Sequence, residues 1–335
     1  MSSQTTHEIP DKASQAYVTT VALGLAAWLI FNSHLEAFYP IPWLAADGLL
    51  GNTLFFVISG LGIFSSLNQR RQNFGAYASR RFWRLYPAVL IALAFQMLFI
   101  SRSYSADPME ILGMLFWPTR FTYVAIIVPM YLLAFASHRF WPKYAAPFLG
   151  SLCLLVYGLA YGHSMESFHA DTKLSIGTLL PLVSYAYFGF AFCLGGMLAS
   201  RHSVAGFRWP WFWLAVLMTT LYVGIKYAMV VRGIGAIAYP VLHVLVLLLC
   251  LLALKLLCAP DWVARVLKWP LVGPFLAKSG SLSLEIYLVH AVLLEIAVFA
   301  AIAFPLNILF FAFVTFLLAM ALQRLTKFLQ GHFEK

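Results

Sequence analysis

Long apolar runs constrain this chain more than any other feature. Tyr17 to Phe31, Val216 to Val231 and Val241 to Leu257, each taken with its flanks, are long enough to cover a hydrocarbon core. Such runs recur to the end of the sequence, and only 10% of the 335 residues are charged, against about 25% in a soluble domain. The expected fold is an all-α polytopic membrane protein. Ten spans are predicted, at about 16–34, 48–67, 83–101, 120–137, 144–162, 177–200, 210–231, 236–258, 282–303 and 306–326. They form one transmembrane domain over 16–326, between tails 1–15 and 327–335. The connections around 35–47, 102–119 and 259–281 are too short to build a core, so no soluble domain is expected and function must sit in the bundle and its loops. Met1 to Gln15 is polar and no A-x-A site follows the first run, so that run is expected to stay as an anchor.

The net charge of +10 invites a nucleic-acid partner, but the charges lie between apolar spans, where membrane topology accounts for them. With both termini cytoplasmic, one face keeps only five of the 22 basic residues, Arg102, Arg120, Lys173, Lys226 and Arg232. That asymmetry sets the expected orientation. Cys153, Cys193, Cys250 and Cys258 all fall in apolar runs without metal spacing and read as packing residues. His163, Glu166, His169 and Asp171 lie close together in the sequence, but in no spacing that marks a metal site, and none is expected. Trp209, Trp211 and Trp213, with Trp117 and Trp141, fit an interfacial belt. Asp261 to Lys278 alternates apolar residues with Arg265, Lys268 and Lys278 and reads as a short amphipathic helix on the cytoplasmic leaflet.

Three polar constellations interrupt the apolar pattern. The first is a loop holding Arg70, Arg71, Arg80, Arg81 and Arg84, just before Pro87. On a helix Arg84 shares a side with Arg80 and Arg81. Guanidinium forks suit polyphosphate oxygens, although a basic loop between two spans also serves as a topology determinant. The second is His34, at the end of the first span after Asn32 and Ser33. It can act as a general base or merely cap the helix. Glu36 and Asp47 are equally open as its partner, Glu36 only if the helix has ended before it. The third is SLSLEIYLVH, with Glu285, Tyr287 and His290 placed where they must face protein or a polar cavity. Polar glue between helices is the competing reading.

Taken together these motifs resemble an integral-membrane acyltransferase family that O-acylates sugars. The resemblance rests on a span ending in histidine, then G-x-x-x-N-x-x-F-F-x-x-S-G from Gly48 to Gly60, R-R-x-x-R-x-x-P from Arg80 to Pro87, and S-L-S-x-x-x-Y-L-x-H from Ser281 to His290. It implies His34 as the catalytic histidine, and Glu36 is taken with it from the reading of the residues. It further implies a donor site for acyl-CoA, acetyl-CoA above all, on Arg80, Arg81, Arg84, Ser59, Asn52, Tyr287 and His290. The implied acceptor is a hydroxyl of a cell-surface or exported glycan, reached from a bacterial inner membrane, and no metal is implied. Many members carry an arginine ten residues before the histidine; here that position is Gly24. On this reading His34 acts as base or carries the acyl group itself. Asn52, Tyr287 and His290 supply hydrogen bonds to the oxyanion. Ser59-Gly60 lets a ligand approach closely, and loop aromatics such as Tyr39, Trp43, Tyr104, Trp117 and Tyr123 present the glycan. Two other classes fit the same chain: a proton-coupled transporter or flippase of a glycan precursor, and a non-catalytic scaffold of a glycan-assembly complex.

Overall fold

The computed structural model describes residues 12–45, 48–70, 72–100, 109, 112–114, 117, 121–170, 181–199, 209–232, 235–257, 269–299 and 301–333. All the regular structure among them is helical. The helices are α1 (Lys12–Ser33), α2 (Gly48–Gln69), α3 (Phe74–Phe95), α4 (Thr122–Phe140), α5 (Ala145–Ala170), α6 (Pro181–Leu198), α7 (Trp209–Arg232), α8 (Gly235–Leu257), α9 (Val272–Ser281), α10 (Ser283–Leu293) and α11 (Leu306–Phe333). Each predicted span overlaps a helix among the described residues, and six of those helices are long and apolar enough to cross a membrane. α1, α6 and α10 add shorter apolar stretches.

The bundle is arranged around α2, which packs on α1, α4, α6 and α8. Of its most apolar stretch 61% is buried, against 11% for α7 at the periphery. Two glycines let α2 and α6 approach at backbone distance. A Cβ on Gly60 would stand 1.8 Å from the Phe192 carbonyl oxygen, and one on Gly195 would stand 1.8 Å from that of Val57. Each helix thus offers a glycine to the other's backbone, and Gly60 of the Ser59-Gly60 pair sits at this crossing.

The ninth predicted span begins where the structure begins it and is corrected at its end. Its helix breaks at Leu282, whose φ of −107° and ψ of 9° depart from helical values, and α10 ends at Leu293, well short of 303. The described part of the expected amphipathic segment forms a helix from Val272 onward, and as α9 it packs across α1. At the crossing a Cβ on Gly24 would stand 2.5 Å from the Leu276 oxygen, and one on Gly280 would stand 1.7 Å from the Thr20 oxygen. Trp28 locks the contact by donating from Nε1 to Ser279 Oγ at 2.9 Å and stacking on Phe275. The position where many members of the family in question hold an arginine therefore has no room for any side chain.

Candidate functional site

The site begins where α1 stops. Ser33 Oγ donates back to the Ile30 carbonyl at 2.7 Å, and beyond it the chain turns into a 3₁₀ segment, Glu36–Phe38. Leu35 and Phe38 are buried in a small apolar cluster with Phe31, Leu293, Phe299 and Phe311, which seats the turn against α10 and α11. Asn307 donates from Nδ2 to the Phe38 carbonyl at 2.8 Å. Tyr39 donates its hydroxyl to Asn32 Oδ1 at 2.5 Å, and burial pushes that phenol up, keeping it a donor. Asn32 in turn donates to the Leu44 carbonyl at 3.0 Å. With the residues on either side anchored, His34 is an exposed side chain of a fixed turn.

Behind His34 stands His290. Nδ1 of His34 and Nε2 of His290 are 2.9 Å apart, although 256 residues separate them in sequence. His290 is fully buried, and its Nδ1 lies 2.9 Å from the Ile286 carbonyl oxygen. Phe31 and Tyr287 lie against its ring. The hydrogen-bond partner of His34 is thus His290. Glu36 lines the same cleft, since the helix has indeed ended before it, and Asp47 lies outside the described residues.

The cleft in front of His34 has a volume of about 280 Å³, and Asn52, Lys226 and Tyr239 complete its polar lining. Asn52 donates from Nδ2 to the Gly48 carbonyl of its own helix at 3.0 Å. Lys226 and Tyr239 were not predicted. Lys226 did carry a signal, as a cation well inside a mainly apolar helix; Tyr239 carried none. Next to the cleft, Thr53 and Tyr187 share a hydroxyl–hydroxyl contact of 2.9 Å, and Tyr187 also donates to the His243 carbonyl at 3.3 Å.

The other predicted residues lie deeper. Tyr287 Oη accepts the backbone N–H of Tyr123 at 3.2 Å, and Tyr123 Oη meets Ser59 Oγ at 3.0 Å. Tyr123 therefore joins α2, α4 and α10. It was expected in a glycan-facing loop and is instead buried against Phe55 and Phe56. Tyr104 and the side chain of Trp43 lie outside the described residues, as do Asp171 and the side chains of Glu166 and His169. The three arginines of α3 divide. Arg80 and Arg84 are exposed, whereas Arg81 is turned inward, 5.4 Å from the ring centre of Tyr77 and 5.8 Å from that of Tyr131. Arg84 is near enough for its charge to act on both Glu285 and Tyr123. Along α10 come Glu285 within reach of Arg84's charge, Tyr287 in the Ser59–Tyr123 network, and His290 behind His34.

An imidazole facing a cleft with a second imidazole at its back is equipped for proton transfer. The family model for the acyltransferase domain of acyltransferase family 3 matches residues 21–324, nearly the whole chain. The chain belongs to this family. No curated protein and no solved structure matches it. An integral-membrane acyltransferase accounts for the apolar helices. This acyltransferase, however, fills the Gly24 position with helix packing, so the acyl donor gets no cation from that place on α1.

Proposed function

We propose that the protein transfers an acyl group, acetyl first of all, from cytoplasmic acyl-CoA to a hydroxyl of a cell-surface or exported glycan. The observation that carries this reading is His34: exposed to a polar cleft, on a turn fixed by buried neighbours, and hydrogen-bonded from behind by His290. The proposed site is a bacterial inner membrane with both termini cytoplasmic. The charge asymmetry supports that orientation, and Lys226, one of the few basic residues assigned to the outer face, lines the cleft with His34.

In this mechanism the phosphates of CoA rest on exposed Arg80 and Arg84, whose guanidiniums pair well with phosphate oxygens. The thioester arm extends along α10 toward His34. The acceptor enters the cleft from the opposite side, and its hydroxyl proton passes to the His34 imidazole as the oxygen attacks the thioester carbonyl. The tetrahedral oxyanion collapses with cleavage of the carbon–sulfur bond, and the thiolate leaves with the proton, as CoA thiol. Asn52 in the cleft is placed to contact the reacting groups. Ser59 and Tyr287 hold the helices that flank the donor path.

The test is label transfer from radiolabelled acetyl-CoA by protein in nanodiscs, with His34→Ala beside the wild type. Label leaving CoA in the wild type and not in the variant is the expected result. Transfer that survives His34→Ala overturns the histidine mechanism.

A further inference from the structure

We infer that His290 is a positioning residue that commits His34 to a single tautomer and shares the charge His34 acquires. This inference rests on the reading of His34 as general base. The argument starts from a backbone oxygen. The Ile286 carbonyl can only accept, so Nδ1 of His290, 2.9 Å away, carries its proton. A fully buried imidazole walled by Phe31 and Tyr287 is held neutral by the cost of burying charge. A neutral imidazole protonated at Nδ1 presents a lone pair at Nε2. Across the 2.9 Å contact, Nδ1 of His34 must therefore be the donor, and Nε2 of His34 is left unprotonated, on the side of the ring away from His290.

The ring geometry agrees with a directed bond. The two planes are inclined by only 19° and the centroids stand 5.1 Å apart, about the nitrogen separation plus two half-rings. The rings are therefore edge to edge, with the N–H and the lone pair in nearly one plane. When His34 takes a proton at Nε2, the Nδ1–H bond to His290 becomes charge-assisted and roughly twice as strong. His290 thus does with a neutral acceptor what a carboxylate does in a Ser-His-Asp triad, where a wrong tautomer lowers kcat by about 10⁴. A carbonyl, a buried imidazole and an exposed imidazole form one chain of alternating donor and acceptor. The other titratable groups facing His34 are Glu36 of its own turn, Lys226 of α7 and Tyr239 of α8.

The full-length protein in nanodiscs tests this with two readouts. In ¹⁵N-histidine solid-state spectra of the wild type at neutral pH, His34, assigned by its loss in His34→Ala, shows a protonated Nδ1 and a bare Nε2. A signal showing the reverse overturns the inference, and this readout needs no turnover. The second readout uses acetyl-CoA as donor and methyl glucoside as the hydroxyl probe. His290→Leu, which cannot accept, lowers kcat by roughly 100-fold while the KM for acetyl-CoA holds. His290→Gln can accept from His34 and donate to a carbonyl, and it recovers kcat to within about tenfold of wild type. Wild-type turnover in His290→Leu, or a correctly folded His290→Gln as slow as His290→Leu, overturns the positioning role. If His34→Ala itself still turns over, the base assignment fails and this inference falls with it. An inactive His34→Ala beside a fully active His290→Leu removes the positioning role alone.

Discussion

A single methyl group added at Gly280 tests how the two histidines are held together. In Gly280→Ala the new Cβ would stand 1.7 Å from the Thr20 carbonyl oxygen, where ordinary contact begins at 3.4 Å. The atom it meets is backbone, so no side chain can swing away, and α1 and α9 must separate by the difference, about 1.7 Å. Gly280 lies ten residues before His290, and Gly24, across the crossing, lies ten residues before His34. Passed on at half its size, the separation stretches the 2.9 Å His34–His290 contact to about 3.7 Å, beyond hydrogen-bonding range. Overpacking of this kind costs about 1–3 kcal/mol of stability, and a misplacement near 1 Å at a reacting group costs on the order of 10² in rate. The assay is the initial rate of label transfer from acetyl-CoA beside the thermal unfolding midpoint. Gly62→Ala is the control, since nothing lies within 4 Å of its added Cβ, and it leaves both quantities at their wild-type values. A Gly280→Ala protein with the wild-type rate and midpoint refutes the idea that this crossing sets the dyad.

Gly24→Arg, which restores the residue many family members hold there, drives its Cβ against the Leu276 oxygen and the Gly280 nitrogen; it abolishes recovery of monodisperse protein on size exclusion. Arg84→Gln raises the KM for acetyl-CoA about tenfold and leaves the unfolding midpoint alone. Arg81→Gln does the opposite, losing ring contacts worth roughly 0.5–2 kcal/mol without changing that KM; titrating donor against both variants separates them. Tyr187→Phe removes the hydroxyl between Thr53 and the His243 carbonyl, costing about 1–3 kcal/mol, read as a lower midpoint with the transfer rate kept. Phe38→Ala opens the cluster that seats the His34 turn, at a cost of about 3–5 kcal/mol, and lowers the transfer rate even below its unfolding midpoint.

The spans were legible because an apolar run long enough for a bilayer has few other fates. Their inward faces were not. In a membrane helix the lipid-facing and core-facing sides are both apolar, so no periodicity marks which aromatic is buried, and Tyr123 read as a loop residue. The ninth span was begun at the right place, at the break before Ser283, but apolar residues continue past Leu293, so it was made too long. At the site, His34 was legible because a histidine at the end of an apolar run is costly without a purpose. Its pairing with His290 was not, since nothing local links positions 256 apart. Of the two carboxylates open as its partner by sequence, Glu36 shares the cleft and is near enough for its charge to act on His34, but the hydrogen bond goes to His290. The arginine motif was visible, but the turning of Arg81 toward Tyr77 and Tyr131 depends on α4, which lies far along the chain.

The reciprocal glycines of α2 and α6 bear on what moves during turnover. A carrier that alternates its access rocks one half of its bundle against the other, and such an interface must slip and re-pack. Here Gly60 rests on the Phe192 carbonyl and Gly195 on that of Val57, so sliding either helix by one residue would push a side chain into its neighbour's backbone. The helix so clamped is the one that carries Asn52 into the cleft and Ser59 into the inner network. Under the proposed reaction the α2–α6 pair would serve as a frame held in register, and the small acyl group would make the journey past it.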